Sequence, residues 1–310
     1  MGRKAGTIAL PYLKGHMGGN TIALFPKGVL PETSLRYSGH HGRLSTPKTP
    51  PGGTISLSEK TVPPDHASSF REATQVKTNE AEIGILCWEA GQVEQGLLQL
   101  ETLVGNSTNP ASFAFPTRLY RVKGANMSTI LENPSRVVLK RMIAAAREMA
   151  ADGVRAVTTS CGFNAIFQEE IANAVDIPVF TSSLLQVPFV QRIVGRNKEV
   201  AIITAKAASL KPEHLRAVGI VRTDNLHIHG LENCPEWGKM FSDPQAELNL
   251  DIVRQEVVGT AVTVLRAHPR TGAFVLECTD LPPFAAEIRA ATGLPVFDFV
   301  TMVNAVHASL

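Results

Sequence analysis

Cysteine is scarce in this chain: Cys87, Cys161, Cys234 and Cys278 are the four among 310 residues, and no two are spaced C-x-x-C. That excludes a disulfide framework and argues against a structural zinc site; any role the cysteines have is as thiols. Long apolar runs are missing too: none reaches the roughly 18 residues of a membrane helix. No secretory signal is evident, so a reducing, intracellular compartment is expected. An excess of one charge is also absent. Lys and Arg number 30 against 28 Asp and Glu, a formal net charge of +2. Nucleic-acid binding needs a concentrated basic face, so it is not expected, and neither is membrane association. There is no glycine-rich phosphate loop; Gly18-Gly19 is only a turn signal. His227-Ile228-His229 puts two imidazoles on one face of a strand, but the sequence offers no third ligand, so no metal site is expected.

What the chain does have is unevenly spread. Residues 1–80 hold 18 of its glycines and prolines, and the following 230 residues hold 26. Stretches such as Thr49-Pro50-Pro51-Gly52-Gly53 cannot sustain a helix. An irregular N-terminal extension is expected there, with His40-His41 solvated. Before Glu32 it carries Arg3, Lys4, Lys14 and Lys27 and no acid, which leaves cytoplasm and plastid both open as locations.

From Glu82 short β-rich runs alternate with helical segments. Strands are expected at 83–87, 154–159, 178–181, 200–204, 273–277 and 295–297. Helices are expected from Asn133-Pro134 to Ala151, and over 164–174, 184–194, 208–218, 245–268, 282–291 and 300–308. Alternating strands and helices imply parallel sheets with both faces covered, an α/β architecture.

A repeat at an offset of 117 residues is the most informative feature. Cys161, Phe167, Glu170, Ile171, Pro178, Val179 and Phe180 recur as Cys278, Phe284, Glu287, Ile288, Pro295, Val296 and Phe297. Each cysteine follows a strand and precedes a helix. In α/β sheets ligands bind beyond the carboxyl ends of strands. There a thiol meets unpaired backbone N–H groups and the positive end of a helix, which is expected to lower its pKa from about 8.5. Two related halves would then offer one thiol each to a shared cleft. Cys87 has no repeat partner and is expected to be structural or pocket-lining. Cys234 lies in a loop.

At these residues the chain resembles the aspartate/glutamate racemase superfamily, from about residue 82 to the end. Thr159-Ser160-Cys161-Gly162-Phe163 and Leu276-Glu277-Cys278-Thr279-Asp280 stand where that superfamily carries its two cysteines. The resemblance implies two three-layer α/β domains related by a pseudo-twofold axis. Their expected bounds are 81–182, with residues 300–310 packing back on it, and 183–299. It also implies no cofactor, a small carboxylate substrate, a homo-oligomer (dimer or tetramer), and proton abstraction beside a carboxylate by Cys161 and Cys278. The Asn and Thr that follow the first cysteine in amino-acid racemases are replaced by Gly162 and Phe163. The His beside the second cysteine of glutamate racemases is replaced by Asp280. An apolar rim at Phe163 suits a substrate with a bulky or sulfonium end and leans towards the dimethylsulfoniopropionate lyases of algae, with racemase, isomerase and non-catalytic binding readings beside it. Substrate-binding candidates are Ser160, Gly162, Phe163, Thr279 and Asp280, with Ser182, Ser183 and Thr204 at strand ends. Trp88, Glu89 and Tyr120 are candidates for the cavity mouth. Asn106 and Asn109 belong to a candidate lid loop, although asparagine is common in loops.

Overall fold

Strand and helix alternate because apolar runs long enough for one buried strand are each followed by a segment with an amphipathic face. In the computed structural model, which describes residues 81–310, these runs form two four-stranded sheets. The N-terminal extension, with Gly18-Gly19 and His40-His41, lies outside the described residues. The first half comprises β1 (Ile83–Cys87), α1 (Gln95–Glu101), β2 (Thr117–Arg121), α2 (Arg136–Ala151), β3 (Ala156–Thr159), α3 (Gln168–Ala172), β4 (Val179–Phe180) and α4 (Val187–Ile193). Then follow β5 (Glu199–Thr204), α5 (Pro212–Ala217), β6 (Leu226–Gly230), α6 (Lys239–Ser242), α7 (Leu250–Ala267), β7 (Thr271–Leu276), α8 (Ala285–Thr292), β8 (Val296–Phe297) and α9 (Phe299–His307). The sheet orders are β2-β1-β3-β4 and β6-β5-β7-β8. Every neighbouring pair is parallel. The two sheets therefore share one topology, and the sequence repeat maps β3, α3 and β4 onto β7, α8 and β8. Helices flank both sheets, as parallel crossovers require.

The inner strands β1 and β5 are buried along their whole length. Alternate residues of β1 face opposite sides. Ile83, Ile85 and Cys87 pack with Phe299, Met302 and Val303, so the C-terminal helix α9 lies on the first sheet. Leu86 belongs to the larger core cluster on the other side, with Met142 and Met149 of α2.

Several element bounds differ from the sequence expectation, and capping explains two of them. The long helix starts at Arg136 and not at Pro134, because the Ser135 hydroxyl accepts the Val138 N–H and caps it. The helix expected from Gln245 starts at Leu250, where Asn249 accepts from Asp251 and Ile252 N–H. Four expected helices begin as a tighter turn, at Gly162–Phe167, Ser183–Gln186, Ala207–Ser209 and Pro282–Phe284. Strand β2 and helices α1 and α6 were not expected. β2 is an edge strand of half-buried residues, Thr-Arg-Leu-Tyr-Arg, so its apolar signal is weak. Asn249→Ala should cost about 1 kcal/mol through loss of the cap, seen as a lower denaturation midpoint with unchanged activity.

Candidate active site

Each repeated cysteine stands two residues past its strand: Cys161 after β3 and Cys278 after β7. Parallel strands direct both to the carboxyl ends of their sheets. The two loops are bonded together. Thr279 Oγ1 donates to the Ser160 carbonyl at 2.5 Å; beside them Ser183 Oγ, in the turn after β4, donates to the Leu276 carbonyl at the end of β7 at 2.6 Å. Cys161 and Cys278 consequently line one cavity of about 610 Å3, a volume that includes its open mouth. Both are almost fully buried, at 8% and 7% exposure.

The repeat extends to how each thiol is held. The backbone N–H of Phe163 supports a thiolate at Cys161, and that of Asp280 supports one at Cys278, two positions on in each case. These donors do not decide the outcome. Burial pushes the Cys161 thiol well up, and Glu277 adds to it. Burial likewise raises Cys278, with Asp280 and Glu277 next in effect. The acidified thiols expected from helix-end electrostatics are therefore not found. Removal from water outweighs a few dipoles, and two carboxylates add like charge.

Of those carboxylates Glu277 is fully buried and Asp280 half-buried. Asp280 Oδ2 accepts from Cys278 Sγ at 3.4 Å, and Asp280 Oδ1 accepts from Asn106 Nδ2 at 2.6 Å. Burial pushes Asp280 up to about 6. Glu277, fully buried, accepts from Thr204 Oγ1 at 2.7 Å through Oε2, and burial pushes it up to about 7. Asn106 is fixed by its own bonds, since its Oδ1 accepts from both the N–H and the hydroxyl of Thr108. It braces Asp280. Asn109 caps the turn at Pro110 through the Ala111 N–H and donates to the Thr102 carbonyl.

Of the residues singled out in the sequence, Ser160, Gly162, Phe163, Thr279, Asp280 and Trp88 line the cavity with the two thiols. The buried Trp88 indole N–H has no oxygen or nitrogen partner among the described residues, and it acts on Cys161 in favour of the thiolate. Ser182, Ser183 and Thr204 are fully buried braces outside the lining. Ser182 caps the turn at Leu184, while Ser183 and Thr204 hold the end of β7. Glu89 accepts the Gly124 N–H, and Tyr120 donates to Glu148 on an exposed face; neither is on the cavity wall. Cys87 is also off the wall. Its thiol bonds the Ile85 carbonyl and is pushed up to about 12 by burial.

Sequence reasoning passed over Glu101, Trp237, Met240 and Phe241, which complete an aromatic and acidic lining. It also passed over Glu277, although an acid ending the run Ala273-Phe274-Val275-Leu276 was a legible signal, because buried acids are rare. Among the described residues that line the cavity there is no Lys, Arg or His.

His227 has more ligand-type neighbours than the sequence indicated. Donor atoms of Glu199, His227 and His268 lie within 4.8 Å of one another. Glu199 already accepts from His227 Nε2 at 2.7 Å and pairs with Arg270. The rings of His227 and His268 are stacked, 3.6 Å between centroids and 23° between planes. Both oxygens of Glu199 are thus already engaged, Oε2 by His227 and Oε1 by Arg270.

No family model matches the chain. A dimethylsulfoniopropionate lyase from Durusdinium sp. clade D is 30% identical over 208 residues, covering 65% of this chain and 68% of that protein. Dimethylsulfoniopropionate lyase 3 of Emiliania huxleyi is 34% identical over 181 residues, covering 56% of this chain and 47% of that protein. The chain thus spans about two thirds of the first relative and about half of the second. Allantoin racemase from Klebsiella pneumoniae has a similar fold, with a TM-score of 0.51 at 14% identity over 74% of this chain and 89% of that one. No helix among the described residues is long and apolar enough to cross a membrane. With its paired parallel sheets, its two repeated cysteines and these relatives, the chain belongs to the aspartate/glutamate racemase superfamily, in the family of the algal dimethylsulfoniopropionate lyases.

Proposed function

We propose that the chain is a lyase that removes a proton beside a carboxylate and expels dimethyl sulfide from dimethylsulfoniopropionate, leaving acrylate. The observation that carries this reading is the cavity wall. It joins both thiols to Trp88, Phe163 and Trp237, with the carboxylate of Asp280, which has no basic partner, while Glu101 is paired with Arg121 at 3.3 Å and the Phe241 ring lies under Lys206; no basic side chain is on the wall itself. Aromatic faces and carboxylates favour a cation, and a sulfonium is a soft, weakly hydrated one. The substrate's own carboxylate falls to neutral donors, for which the hydroxyls of Ser107 and Ser160 are on the wall.

The same cation answers the high thiol pKa values. Positive charge brought beside two buried sulfurs opposes the effect of burial and of the acids, and so favours a thiolate once substrate is bound. Cys278 is the preferred base, because Asp280 is bonded to it and can accept its proton. The thiolate takes the hydrogen from the carbon beside the carboxylate, that electron pair forms the double bond, and the carbon–sulfur bond breaks towards sulfur. Cys278 ends as the neutral thiol beside a protonated Asp280; Asp280 releases its proton to solvent and can then accept the next one from Cys278, so each turnover yields dimethyl sulfide, acrylate and one proton. Cys161 is the partner acid or positioning thiol.

The test uses the full chain with dimethylsulfoniopropionate, following sulfide in the headspace and acrylate by NMR, beside an amino-acid and hydantoin panel in deuterated water. Equal release of sulfide and acrylate is expected. Uptake of deuterium at the α-carbon without sulfide would replace the lyase reading by a racemase. Binding without turnover of any compound would leave a small-carboxylate binding protein.

A further inference from the structure

Side-chain donors on the cavity wall are few, and several are already spent. Thr108 donates its hydroxyl to Asn106 Oδ1, Thr279 donates to the Ser160 carbonyl, and the Trp237 indole N–H donates to the Ala205 carbonyl at 3.2 Å. The second indole of the wall is different. Trp88 is buried at 8% exposure, and its Nε1 has no oxygen or nitrogen acceptor among the described residues. Strand pairing sets its place. Leu86 pairs with Thr159, and the Ser160 N–H donates to the Leu86 carbonyl at 2.9 Å, so the residues leaving β1 run beside those leaving β3. Trp88 thereby stands next to Cys161 on the wall, with its N–H on the side of that sulfur. A neutral thiol is a weak acceptor and does not satisfy the donor. An indole N–H can only donate, and unlike a hydroxyl it cannot turn away. A buried donor left unmet is costly, and on a cavity wall it points to an acceptor on the occupant. The repeat puts this donor on one side only. At the offset of 117 residues Trp88 corresponds to Ala205, which also lines the cavity. The chain leaving β1 brings an N–H where the chain leaving β5 brings a methyl group.

We propose that the Trp88 indole N–H binds the carboxylate of the substrate and seats it beside Cys161. A sulfonium offers no acceptor, so of the two ends of the molecule only the carboxylate can take this bond. The wall has no Lys, Arg or His to hold that carboxylate instead. Asp280, bonded to Cys278, repels a carboxylate and so turns the anionic end away from Cys278. The orientation sends the rest of the molecule, beginning with the carbon that loses its proton, towards Cys278 and Asp280. Two matched thiols in a repeated fold are thereby told apart by one unrepeated side chain. Trp88 is a substrate-binding residue in this scheme and moves no proton. The inference rests on the reading that the cavity takes a small carboxylate, and it names the group that holds it.

The chain has two tryptophans, Trp88 and Trp237, so its proton–nitrogen NMR spectrum holds two indole N–H signals. The probes are propionate, a carboxylate without a sulfonium, and trimethylsulfonium, the converse. Titrating propionate into the full chain should move the Trp88 signal downfield, while that of Trp237, held by the Ala205 carbonyl, moves less. Trp88→Phe keeps an aromatic face and removes the donor. It should weaken propionate binding about tenfold, the worth of a hydrogen bond to a charged acceptor, and change that of trimethylsulfonium by less than about twofold. The signal missing from this variant is that of Trp88. If the variant does not fold, Trp237→Phe makes the assignment and the titration of the unaltered chain carries the test. A Trp88 signal unmoved by propionate, or equal weakening of the two probes, overturns the inference. Sulfide release by the unaltered chain is measured separately. Release with an unmoved Trp88 signal would keep the lyase and sink the carboxylate site; a propionate response without release would do the opposite.

Discussion

Cys278→Ser is expected to lower the rate of sulfide release by about 10²–10⁴-fold, the usual worth of a positioned general base. Cys161→Ser should also be strongly impaired. Serine keeps the shape and loses the acidity: a hydroxyl in a site that already holds a thiol far up cannot ionise near neutral pH. The site's walls are untouched by the exchange, so the loss should fall on kcat, with KM changed little. Cys87→Ser is the control. That thiol ends β1 outside the cavity, donates to the Ile85 carbonyl and reaches the wall only through the Ser160 hydroxyl, a contact a serine can keep, so near-normal turnover is expected. Full activity in both Cys161→Ser and Cys278→Ser would end the two-thiol scheme.

Gly162→Ala should damage both stability and turnover. The added carbon would meet the Glu277 carbonyl oxygen at 2.2 Å and Oε1 at 2.3 Å. The carboxylate arm has little room to swing, since Thr204 holds its other oxygen. The carbonyl belongs to the end of β7, where Ser183 is also bonded, so it cannot retreat without moving the sheet edge. Overpacking of this kind costs about 1–3 kcal/mol and more where the neighbour is backbone. The denaturation midpoint should fall accordingly. Turnover at a temperature where the variant is folded should fall further, because any shift of Glu277 moves the adjoining Cys278. A variant with unaltered midpoint and rate would mean that the two loops do not meet as closely as they do here.

Much of this was legible along the chain, and the reason is local. β1, β5 and β7 are buried strands whose apolar runs leave a plain trace. The repeat around the two cysteines placed each thiol at a strand end without reference to any distant residue. The edge strand β2 was missed because its half-buried, arginine-bearing residues carry no such trace. Trp237 and Phe241 were missed because they reach the cavity from a loop and a four-residue helix with no pattern of their own.

What the chain by itself determined is the layered α/β architecture and the presence of two matched sulfurs, since both depend on residues close together in sequence. The tertiary structure alone decided which acids stand beside those sulfurs, that Asn106 crosses to Asp280 and Thr204 to Glu277, and that the thiols are pushed up and not down. These are contacts between segments 73 to 174 residues apart. A thiol's acidity follows from how far water is excluded and which charges face it, and neither is written in the few residues on either side.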